Sequence, residues 1–513
     1  MLKKPDSSMI KRARKEPIDV LDNKYSDSEL VIGLVGAVGT EQNFIVEIIK
    51  ERLQTAFRYN VDTVHVSKDV ISNLYTPGNH ESDYDRVQEL IVLGNTAREK
   101  SGDHSILALG VASEIFKRRE IDQNTETVKP KLRTAYIINS LKHPAEVEKL
   151  REIYSNGFYL IGIHSDENKR RKHLINSKFM TEDQANDLIK RDMDEVDGHG
   201  QHTRDTFELA DFYVHLDVHD QAKNSIWRIL DLIFGHHHLT PTFDEFAMYM
   251  AFTSALRSAD LSRQVGAVIA RDNEIIALGA NDTPKYGGGL YWPEFDIINN
   301  EFKDFQNGRD YTRGVDSNKQ EQARIIENII LALEIDDEET KKKIRDKLKK
   351  SRIKDITEYG RVVHAEMEAL LMCSRNNVST RGATIYCTTF PCHNCAKHII
   401  AAGITKVIYV EPYPKSKAFE FHSDAIATDS NASTEGVIFT PFVGIGPRKF
   451  FELFSMSLGS GYNKVRKNKD GEALKWKPKE SRMRSQLLPV SYLERETYAT
   501  NDFEEKRRIL NEN

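Results

Sequence analysis

Cysteine is scarce in this sequence, which contains four cysteines among 513 residues. So few cysteines in so long a chain do not form a disulfide framework, and a reducing, cytoplasmic compartment is therefore expected. The sequence also lacks the run of about 18 apolar residues that a membrane-spanning helix needs. Its first residues are polar and basic, without the apolar stretch of a signal peptide. The net charge of −5 provides no general attraction to nucleic acid.

The length and composition predict a protein with several α/β domains. A chain of 513 residues is long enough for two or three domains. Changes in composition divide it into four segments: a flexible basic arm at 1–28, a first domain at 29–235, a second domain at 241–457 with an insertion at 282–360, and a basic extension at 458–513. The basic residues around Trp476 suit either RNA contact or a solvated or subunit-clasping tail.

The first domain begins with an apolar strand that runs into a glycine-rich turn and then into a helical pattern. Residues 29–40 read ELVIGLVGAVGT, and strand, loop and helix in this order form the context of a phosphate-binding loop. Gly33 and Thr40 have the outer spacing of a Walker A loop, but Gly39 stands where that motif has lysine. The candidate phosphate-binding residues are Gly33, Gly36, Gly39 and Thr40.

Strands and helices alternate through the rest of the first domain, which predicts a parallel sheet. The run from Arg133 to Arg171 resembles P-loop nucleotide kinases, in which a strand end and an arginine-bearing lid close over phosphates. Asn139 occupies the strand end where an acidic residue is expected. Because lysine and acid are both missing, magnesium-dependent phosphoryl transfer is disfavoured. Nucleotide binding and a vestigial fold are the main interpretations, and a kinase is the third.

Two short stretches of the second domain carry the residue types of a catalytic metal site. Residues 363–368 read VHAEME and residues 390–395 read FPCHNC, and each stretch is predicted to start a helix. Cys392 and Cys395 lie three residues apart and share one helical face, and helix N-termini stabilise thiolates. His364 adds an imidazole. Three such ligands leave one position of a tetrahedral zinc ion open for water, as in catalytic rather than structural sites.

Glu366 lies two residues past His364 and is expected to move protons without binding the metal. Zinc activates water near neutral pH, and the pattern H-x-E followed by P-C-x-x-C is typical of zinc nucleobase deaminases. The alternative is a zinc ion that only stabilises the fold. That hypothesis needs a fourth ligand, such as His393 or His398, but His393 lies between the cysteines and should point away from their face.

Residues 388–410 read TTFPCHNCAKHIIAAGITKVIYV, and this stretch closely resembles the deoxycytidylate deaminase family. The stretches 262–268 (SRQVGAV) and 279–281 (GAN) resemble the first two strands of the same family. The resemblance implies a cytidine-deaminase-like α/β/α domain with one zinc ion per chain. It also implies that Asn281 contacts the nucleotide. Arg263 is a candidate for phosphate binding or for a surface ion pair. Lys415 or Lys417, which follow the predicted strand at 405–410, is a candidate for contact with a phosphate tail.

The two-domain layout, with a nucleotide-kinase-like first half, resembles the bacterial anti-phage dCTP/dCMP deaminases. This resemblance implies hydrolytic deamination of dCTP or dCMP, which drains the deoxycytidine nucleotide pool during phage infection. It further implies a homo-oligomer and a small RNA that restrains the activity.

Two other functions share some of these residues. A polynucleotide-editing deaminase would use the same zinc chemistry on a flipped base, although the negative net charge argues against it. A nucleotide-sensing or kinase-like regulatory protein would instead be built on the first domain. Glu368 differs from the asparagine that monophosphate deaminases often place there, so the preferred number of phosphates stays open.

Overall fold

The computed structural model describes residues 27–122, 127–194, 200–410, 416–428, 436–459, 461–487 and 489–512. Nearly all of the predicted basic arm, and Lys415, lie outside these ranges. The chain divides into two compact units. Unit 1 comprises Met1–Glu245, Glu411–Tyr413 and Pro441–Asn513, and unit 2 comprises Phe246–Val410 and Pro414–Thr440.

The strands and helices are numbered here in chain order. The strands are β1 (Leu30–Gly36), β2 (Asn60–His65), β3 (Glu120–Asp122), β4 (Thr127–Lys129), β5 (Thr134–Asn139), β6 (Phe158–His164), β7 (Phe212–His215), β8 (Gly266–Arg271), β9 (Glu274–Ala280), β10 (Glu294–Asp296), β11 (Glu301–Lys303), β12 (Thr384–Cys387), β13 (Lys406–Tyr409), β14 (Ile426–Thr428), β15 (Val437–Pro441) and β16 (Gly444–Ile445).

The helices are α1 (Gln42–Arg52), α2 (Ser72–Leu74), α3 (Asp83–Ser101), α4 (Ile106–Lys117), α5 (Pro144–Tyr154), α6 (Glu167–Lys178), α7 (Glu182–Asp194), α8 (Thr203–Glu208), α9 (His219–Ile233), α10 (Phe243–Ala255), α11 (Asp310–Arg313), α12 (Ser317–Ala332), α13 (Glu338–Lys350), α14 (Ala365–Arg375), α15 (His393–Ala401), α16 (Ala418–Phe421), α17 (Pro447–Phe454) and α18 (Pro489–Glu512). Among the described residues, no helix is both long enough and apolar enough to cross a membrane.

Unit 1 contains a six-stranded sheet in the order β16-β7-β6-β1-β5-β2. Strands β7, β6, β1, β5 and β2 run parallel to one another, which confirms the predicted parallel sheet. The short strand β16 pairs antiparallel to β7 at one edge. β1 is buried along its whole length. Such a continuous apolar run is typical of parallel strands that are covered on both faces.

The C-terminal helix α18 belongs to unit 1. Its Glu496 side chain accepts a hydrogen bond from Arg119 at 2.8 Å, and Tyr492 on the same helix donates to Glu29 at the start of β1. Arg119 and Glu29 form a second ion pair, and all these side chains are buried. Burial raises the pKa of Glu496 to about 7. Removing one partner of a buried pair costs about 3–5 kcal/mol, so we expect this network to hold α18 against the sheet of unit 1.

Unit 2 contains a six-stranded mixed sheet in the order β14-β15-β13-β12-β8-β9. Gly266 and Ala267 are neighbours on β8, and Gly279 of β9 pairs with Ala267. Side chains alternate between the faces of a strand, so Gly266 and Gly279 lie on opposite faces. A Cβ on Gly266 would overlap the carbonyl oxygen of Ala251 in α10, and one on Gly279 would overlap that of Ala365 in α14. Helices therefore cover both faces, as predicted for an α/β/α domain.

Candidate active site

His364 is the N-cap residue of α14, with extended backbone angles (φ −67°, ψ 151°). The helix lies close to the sheet because Gly279 has no side chain: a Cβ there would come within 2.0 Å of the Ala365 carbonyl oxygen. Small or buried residues of α14, including Ala369 and Cys373, pack into the core of unit 2. Packing of this helix on β9 therefore sets the position of the His364 imidazole.

Cys392 is the N-cap residue of α15, and its sulfur accepts a hydrogen bond from the Cys395 backbone N–H at 3.4 Å. Pro391 precedes the cap, and the helix begins at His393. Both cysteines thus lie at the end of the helix where free N–H groups and the helix dipole stabilise negative charge.

The structure brings the three predicted metal ligands together. The Nδ1 atom of His364 lies 3.4 Å from the Cys392 sulfur and 3.3 Å from the Cys395 sulfur. All three ligand atoms lie within 4.8 Å of one another. One imidazole nitrogen and two sulfurs form a donor set that suits zinc and leaves one of four positions free. We refer to His364, Cys392 and Cys395 as the ligand triad. It forms a candidate zinc site.

The protonation of this region reflects burial and close contacts. A hydrogen bond with the Cys395 side chain lowers the pKa of Cys392 to about 3, which favours the thiolate that a metal binds. Glu366 is 3% exposed, and burial raises the pKa of its carboxyl group. A carboxyl group with a raised pKa can both accept and release protons near neutral pH.

A cavity of about 190 Å³ lies beside the triad, entirely within unit 2. We call it the triad cavity. Glu366, His364, Cys392, Asn281 and Arg263 all line it. Asn281 is buried, and its side chain accepts from the Val265 N–H at 2.6 Å and donates to the Arg263 carbonyl at 2.9 Å.

Two of the three predicted substrate-binding residues, Arg263 and Asn281, therefore line the cavity, and they differ in exposure. The Arg263 side chain is exposed, and its backbone N–H donates to Asp260 at 3.0 Å. Asn281 holds the backbone on both sides of residue 264, which orients Arg263 at the cavity. Lys415 lies outside the described residues.

Part of the insertion at 282–360 also lines the triad cavity. Asp310, Asp316 and Asn318 are among the residues that line it. Asp316 was recognisable as a helix N-cap, because it precedes the helical pattern of α12 and its side chain accepts from the Asn318 and Lys319 N–H groups. No local signal shows that α12 starts at the cavity, since this depends on how the insertion folds back.

Glu368 does not line the triad cavity. It is buried on α14 and forms an ion pair with Arg375 on the same helix. The charge of the Glu368 carboxylate is therefore balanced within the helix by Arg375.

A larger cavity of about 390 Å³ lies in unit 1, beside the turn between β1 and α1. We call it the loop cavity. Gly39, Thr40 and Gln42 line it. Gly39 has φ +84°, and a Cβ there would come within 2.8 Å of the Arg170 carbonyl oxygen. Glycine is therefore required for the shape of this turn.

Gly33 was predicted to belong to the phosphate-binding loop, and this prediction is wrong. Gly33 lies inside β1, paired with Ile138 and Leu160. A Cβ there would overlap the side chains of Leu141 and Phe158, so this glycine serves core packing. The turn begins only after Gly36, which is the last residue of the strand.

The Walker A pattern is therefore better counted from Gly36, which places different residues at its lysine and Ser/Thr positions. Gln42 then stands at the lysine position and Asn43 at the Ser/Thr position, both in the first turn of α1. Asn139, at the end of β5, donates to Asn43 at 3.1 Å. Gln42, Asn43 and Asn139, the amide group of the loop cavity, are all uncharged.

Lys142 lies next to this turn although it is distant in sequence. Its Nζ donates to the Gly36 carbonyl at 2.8 Å and lies 3.3 Å from the buried carboxylate of Asp192. The same carboxylate accepts from the Val38 N–H at 2.9 Å. The ammonium group that the turn lacks is therefore supplied by a lysine beyond β5.

The fold of unit 2 and the ligand triad together define an α/β/α domain with a candidate zinc site. Residues 241–411 match the family model described as the cytidine and deoxycytidylate deaminase zinc-binding region. The C-terminal part of the chain therefore contains a domain of the dCMP/cytidine deaminase family.

Curated relatives match different lengths of the chain. ComE operon protein 2 of Bacillus subtilis (strain 168) is 55% identical over 54 residues, which are 10% of this chain and 29% of that protein. The deoxycytidylate deaminase of Mus musculus is 27% identical over 212 residues, or 41% of this chain and 81% of that protein. The chain thus matches under a third of the length of the first of these relatives.

A solved structure with a similar region is the dCMP deaminase of cyanophage S-TIM5 in complex with dCMP and dUMP. It is 19% identical and covers 40% of this chain and 100% of that chain, with a TM-score of 0.23.

Proposed function

We propose that this protein is a zinc-dependent hydrolase that removes the amino group at C4 of cytosine from deoxycytidine nucleotides, dCMP or dCTP. The observation that carries the proposal is the meeting of the ligand triad and the buried Glu366 at one cavity. The family domain at 241–411 supports the proposal, and several relatives of the chain are deoxycytidylate deaminases.

The ligand triad would hold zinc, which when bound supplies an activated water to attack C4. The chain's own residues handle the protons. Glu366 takes a proton from the attacking water and delivers protons to N3 of the ring and to the departing amine. Its burial raises its pKa above the ordinary value of a glutamate, which favours uptake and return of a proton during the reaction. The products are the deoxyuridine nucleotide and ammonia.

Substrate binding is assigned to the residues around the mouth of the triad cavity. The exposed guanidinium of Arg263 is proposed to meet phosphate, and Asn281 to hold the adjacent backbone and contact the nucleotide. Lys415 stays a proposed phosphate contact. A cavity of about 190 Å³ is smaller than the roughly 300–1,000 Å³ usual for ligand sites. It is therefore expected to enclose base and sugar, with the phosphates towards solvent.

The test is release of ammonia, with products identified by chromatography, from dCTP, dCMP, CTP, deoxycytidine and a cytosine-containing oligonucleotide. Glu366→Gln should lower turnover about 10²- to 10⁴-fold, the usual contribution of a general acid–base group, with zinc content unchanged. Glu368→Gln is the matched control, because it makes the same change at a buried glutamate of α14 that does not line the cavity. Equal turnover by wild type and Glu366→Gln would contradict the proposal.

The same assay separates the alternative of a polynucleotide editor. Turnover of the oligonucleotide alone, with steep dependence on salt, would move the protein to that class. The relative rates with dCMP and dCTP would decide the preferred phosphate number.

The resemblance to anti-phage deaminases supports a biological role in which the enzyme depletes the cytoplasmic deoxycytidine nucleotide pool during infection. A homo-oligomer and restraint by a small RNA form part of this proposal. Cells that express Glu366→Gln should lose protection against phage. Light scattering and analysis of co-purified RNA test the assembly and the partner. Protection that persists in the variant would show that defence against phage does not depend on deamination.

A second function is proposed for unit 1, namely binding of a nucleotide at the loop cavity through Gly36, Gly39 and Thr40. The observation that favours it is Lys142, which supplies a cation next to the turn. Buried polar atoms of Thr40 and Gln42 also have no protein partner within the described chain. The uncharged amide group disfavours phosphoryl transfer, since it offers neither the lysine nor the acidic magnesium ligand of such enzymes.

Calorimetric titration with ATP, dCTP and dTTP tests this binding. Gly39→Val should abolish it by distorting the turn. Gly102→Ala is the control, because Gly102 also has positive φ (+62°) but has open space around it. We further propose that the bound nucleotide changes the deaminase rate. Identical deaminase kinetics for wild type and Gly39→Val, with and without nucleotide, would contradict this regulation.

A further inference from the structure

The wall of the triad cavity carries more acidic than basic side chains, although the proposed substrate is an anion. The acidic residues that line it are Asp260, Asp310, Asp316 and Glu366. Arg263 is the one arginine or lysine that lines it within the described ranges. Asp310 is paired with Arg361 at 2.8 Å, which balances one of these acids. Because like charges repel, attraction of a nucleotide to this cavity requires cations outside its wall.

The insertion carries a group of cations at the end of its exposed helix α13, which has no buried residue. Two cations in the first half of the helix form ion pairs, Lys341 with Glu338 and Lys343 with Glu339, each at 2.7 Å. The cations from residue 347 onwards are exposed, and they form no ion pair within the part of the chain that the structure describes. We call them the cationic surface: Lys347, Lys349, Lys350, Arg352 and Lys354.

Stabilisation of α13 explains only part of this surface. Basic residues in the last turn of a helix interact favourably with its dipole, and this accounts for the lysines up to Lys350, where α13 ends. It does not account for Arg352 and Lys354, which lie in the short helical turn that follows. Residues 346–360 contain five cations and three acidic residues, so the stretch as a whole is positive.

The cationic surface lies next to the triad cavity because the segment after it is fixed to α12. The Ile356 carbonyl accepts from Asn318 and Gln322 of α12, each at 2.7 Å, and the Lys354 carbonyl accepts from Gln322 at 3.2 Å. Asn318 and the exposed Thr357 line the cavity. Lys354 and Thr357 are three residues apart, so their Cα atoms lie within about 11 Å of each other. Charges act over about 8 Å at physiological ionic strength, and a lysine side chain extends well beyond its Cα atom. The electric field of the surface therefore acts at the cavity.

We propose that the cationic surface attracts the phosphates of the nucleotide to the triad cavity through its field and makes the deaminase favour substrates with more phosphates. This inference rests on the proposed deamination of cytosine nucleotides. The surface needs no direct contact with the substrate, because a cationic region beside a cleft raises the local concentration of an anion and speeds its association. The gain increases with the charge of the substrate, so dCTP gains more than dCMP and neutral deoxycytidine gains nothing.

The test compares kcat/KM for deoxycytidine, dCMP and dCTP in wild type and in the triple variant Lys347→Gln/Lys350→Gln/Lys354→Gln. At low salt the variant should lose about tenfold with dCTP, at the lower end of the range for electrostatic steering. It should lose less with dCMP and nothing with deoxycytidine. The loss should appear in KM, with kcat unchanged. Added salt should reduce the difference between wild type and variant, because it screens the surface.

The matched control is the triple variant Lys467→Gln/Lys475→Gln/Lys479→Gln. It removes the same number of charges at exposed lysines of unit 1, so it changes the net charge of the chain equally without changing the cationic surface. Its kcat/KM should equal that of wild type for all three substrates. An equal loss with dCTP in both triple variants would assign the effect to net charge and would overturn the inference.

A purely structural role for the lysines predicts that the first variant loses activity equally with dCMP and dCTP. That result, or no loss with either, would overturn the inference while leaving the deaminase proposal intact. If wild type turns over none of the three compounds, the deaminase proposal fails. Calorimetric binding of dCTP and deoxycytidine to wild type and to the first variant then decides the inference. Equal affinity of both proteins for dCTP, or no binding of dCTP, would overturn it.

Discussion

The loop cavity and the triad cavity differ in size and in the chemistry of their walls. The loop cavity of unit 1, about 390 Å³, is lined at its turn by neutral amides, while the triad cavity of unit 2, about 190 Å³, contains an imidazole, a thiolate-forming cysteine and a buried carboxyl group. Breaking a C–N bond needs groups that exchange protons or bind a metal, and amides do neither. The triad cavity therefore has the groups that the proposed hydrolysis needs, whereas the turn of the loop cavity offers amides and the neighbouring ammonium group of Lys142.

The largest expected effect follows removal of a metal ligand from the triad cavity. Cys395→Ser should lower zinc from about one ion per chain to near zero, and deaminase turnover should fall to background. Zinc content and ammonia release measure the two effects. Cys373→Ser is the control, since Cys373 is equally buried, at 1% exposure, and is not part of the triad. Equal loss of zinc in both variants would indicate unfolding instead of lost ligation.

A second prediction concerns what the loop cavity does not do. Wild type should release no phosphate from ATP or dCTP above the background rate with magnesium, because the amide group replaces the lysine, hydroxyl and acid that such chemistry uses. Phosphate release is measured with the purified full-length chain. Hydrolysis that persists in Glu366→Gln but is lost in Gly39→Val would show that the loop cavity is catalytic and would contradict this prediction.

A third prediction sharpens the binding role of the loop cavity. Lys142→Ala should weaken nucleotide affinity about 10- to 100-fold, because a hydrogen bond to a charged group contributes about 1.5–3 kcal/mol. Lys149→Ala is the matched control, since Lys149 pairs with Glu152 on α5 and does not line the cavity. Unchanged affinity in Lys142→Ala would show that Lys142 does not contribute to nucleotide binding.

The smallest expected effect concerns Asp192, whose carboxylate contacts both the Val38 N–H and Lys142. A ligand phosphate would compete with this internal anion for the same donors. Asp192→Asn should therefore tighten nucleotide binding by roughly tenfold or less, equal to about 1.4 kcal/mol. Asp187→Asn, also on α7 but bonded to Tyr84, should not change affinity. Weaker binding in Asp192→Asn would show that the carboxylate supports the site instead of competing for it.

Sequence reasoning succeeded where the signal was local. The ligand triad lies at the N-termini of two helices, α14 and α15. Within each helix, only two or three residues separate the side chains that were predicted together, His364 with Glu366 and Cys392 with Cys395. The parallel sheet of unit 1 was likewise predicted from alternating apolar strands and helices. The register of the glycine-rich turn was wrong because Gly33 and Gly36 look alike in sequence, and only pairing with Ile138 and Leu160 shows that Gly33 is in the strand.

The sequence by itself determined which side chains form the ligand triad, because helix starts, strand patterns and metal-ligand spacing depend on neighbours within about one or two turns. Only the tertiary structure decided that α18 packs into unit 1, that Lys142 supplies the cation missing from the turn, and that Asn318 lines the triad cavity. These contacts join residues tens to hundreds of positions apart. Their partners are selected by packing and by the burial of polar groups that need one another, which no local pattern records.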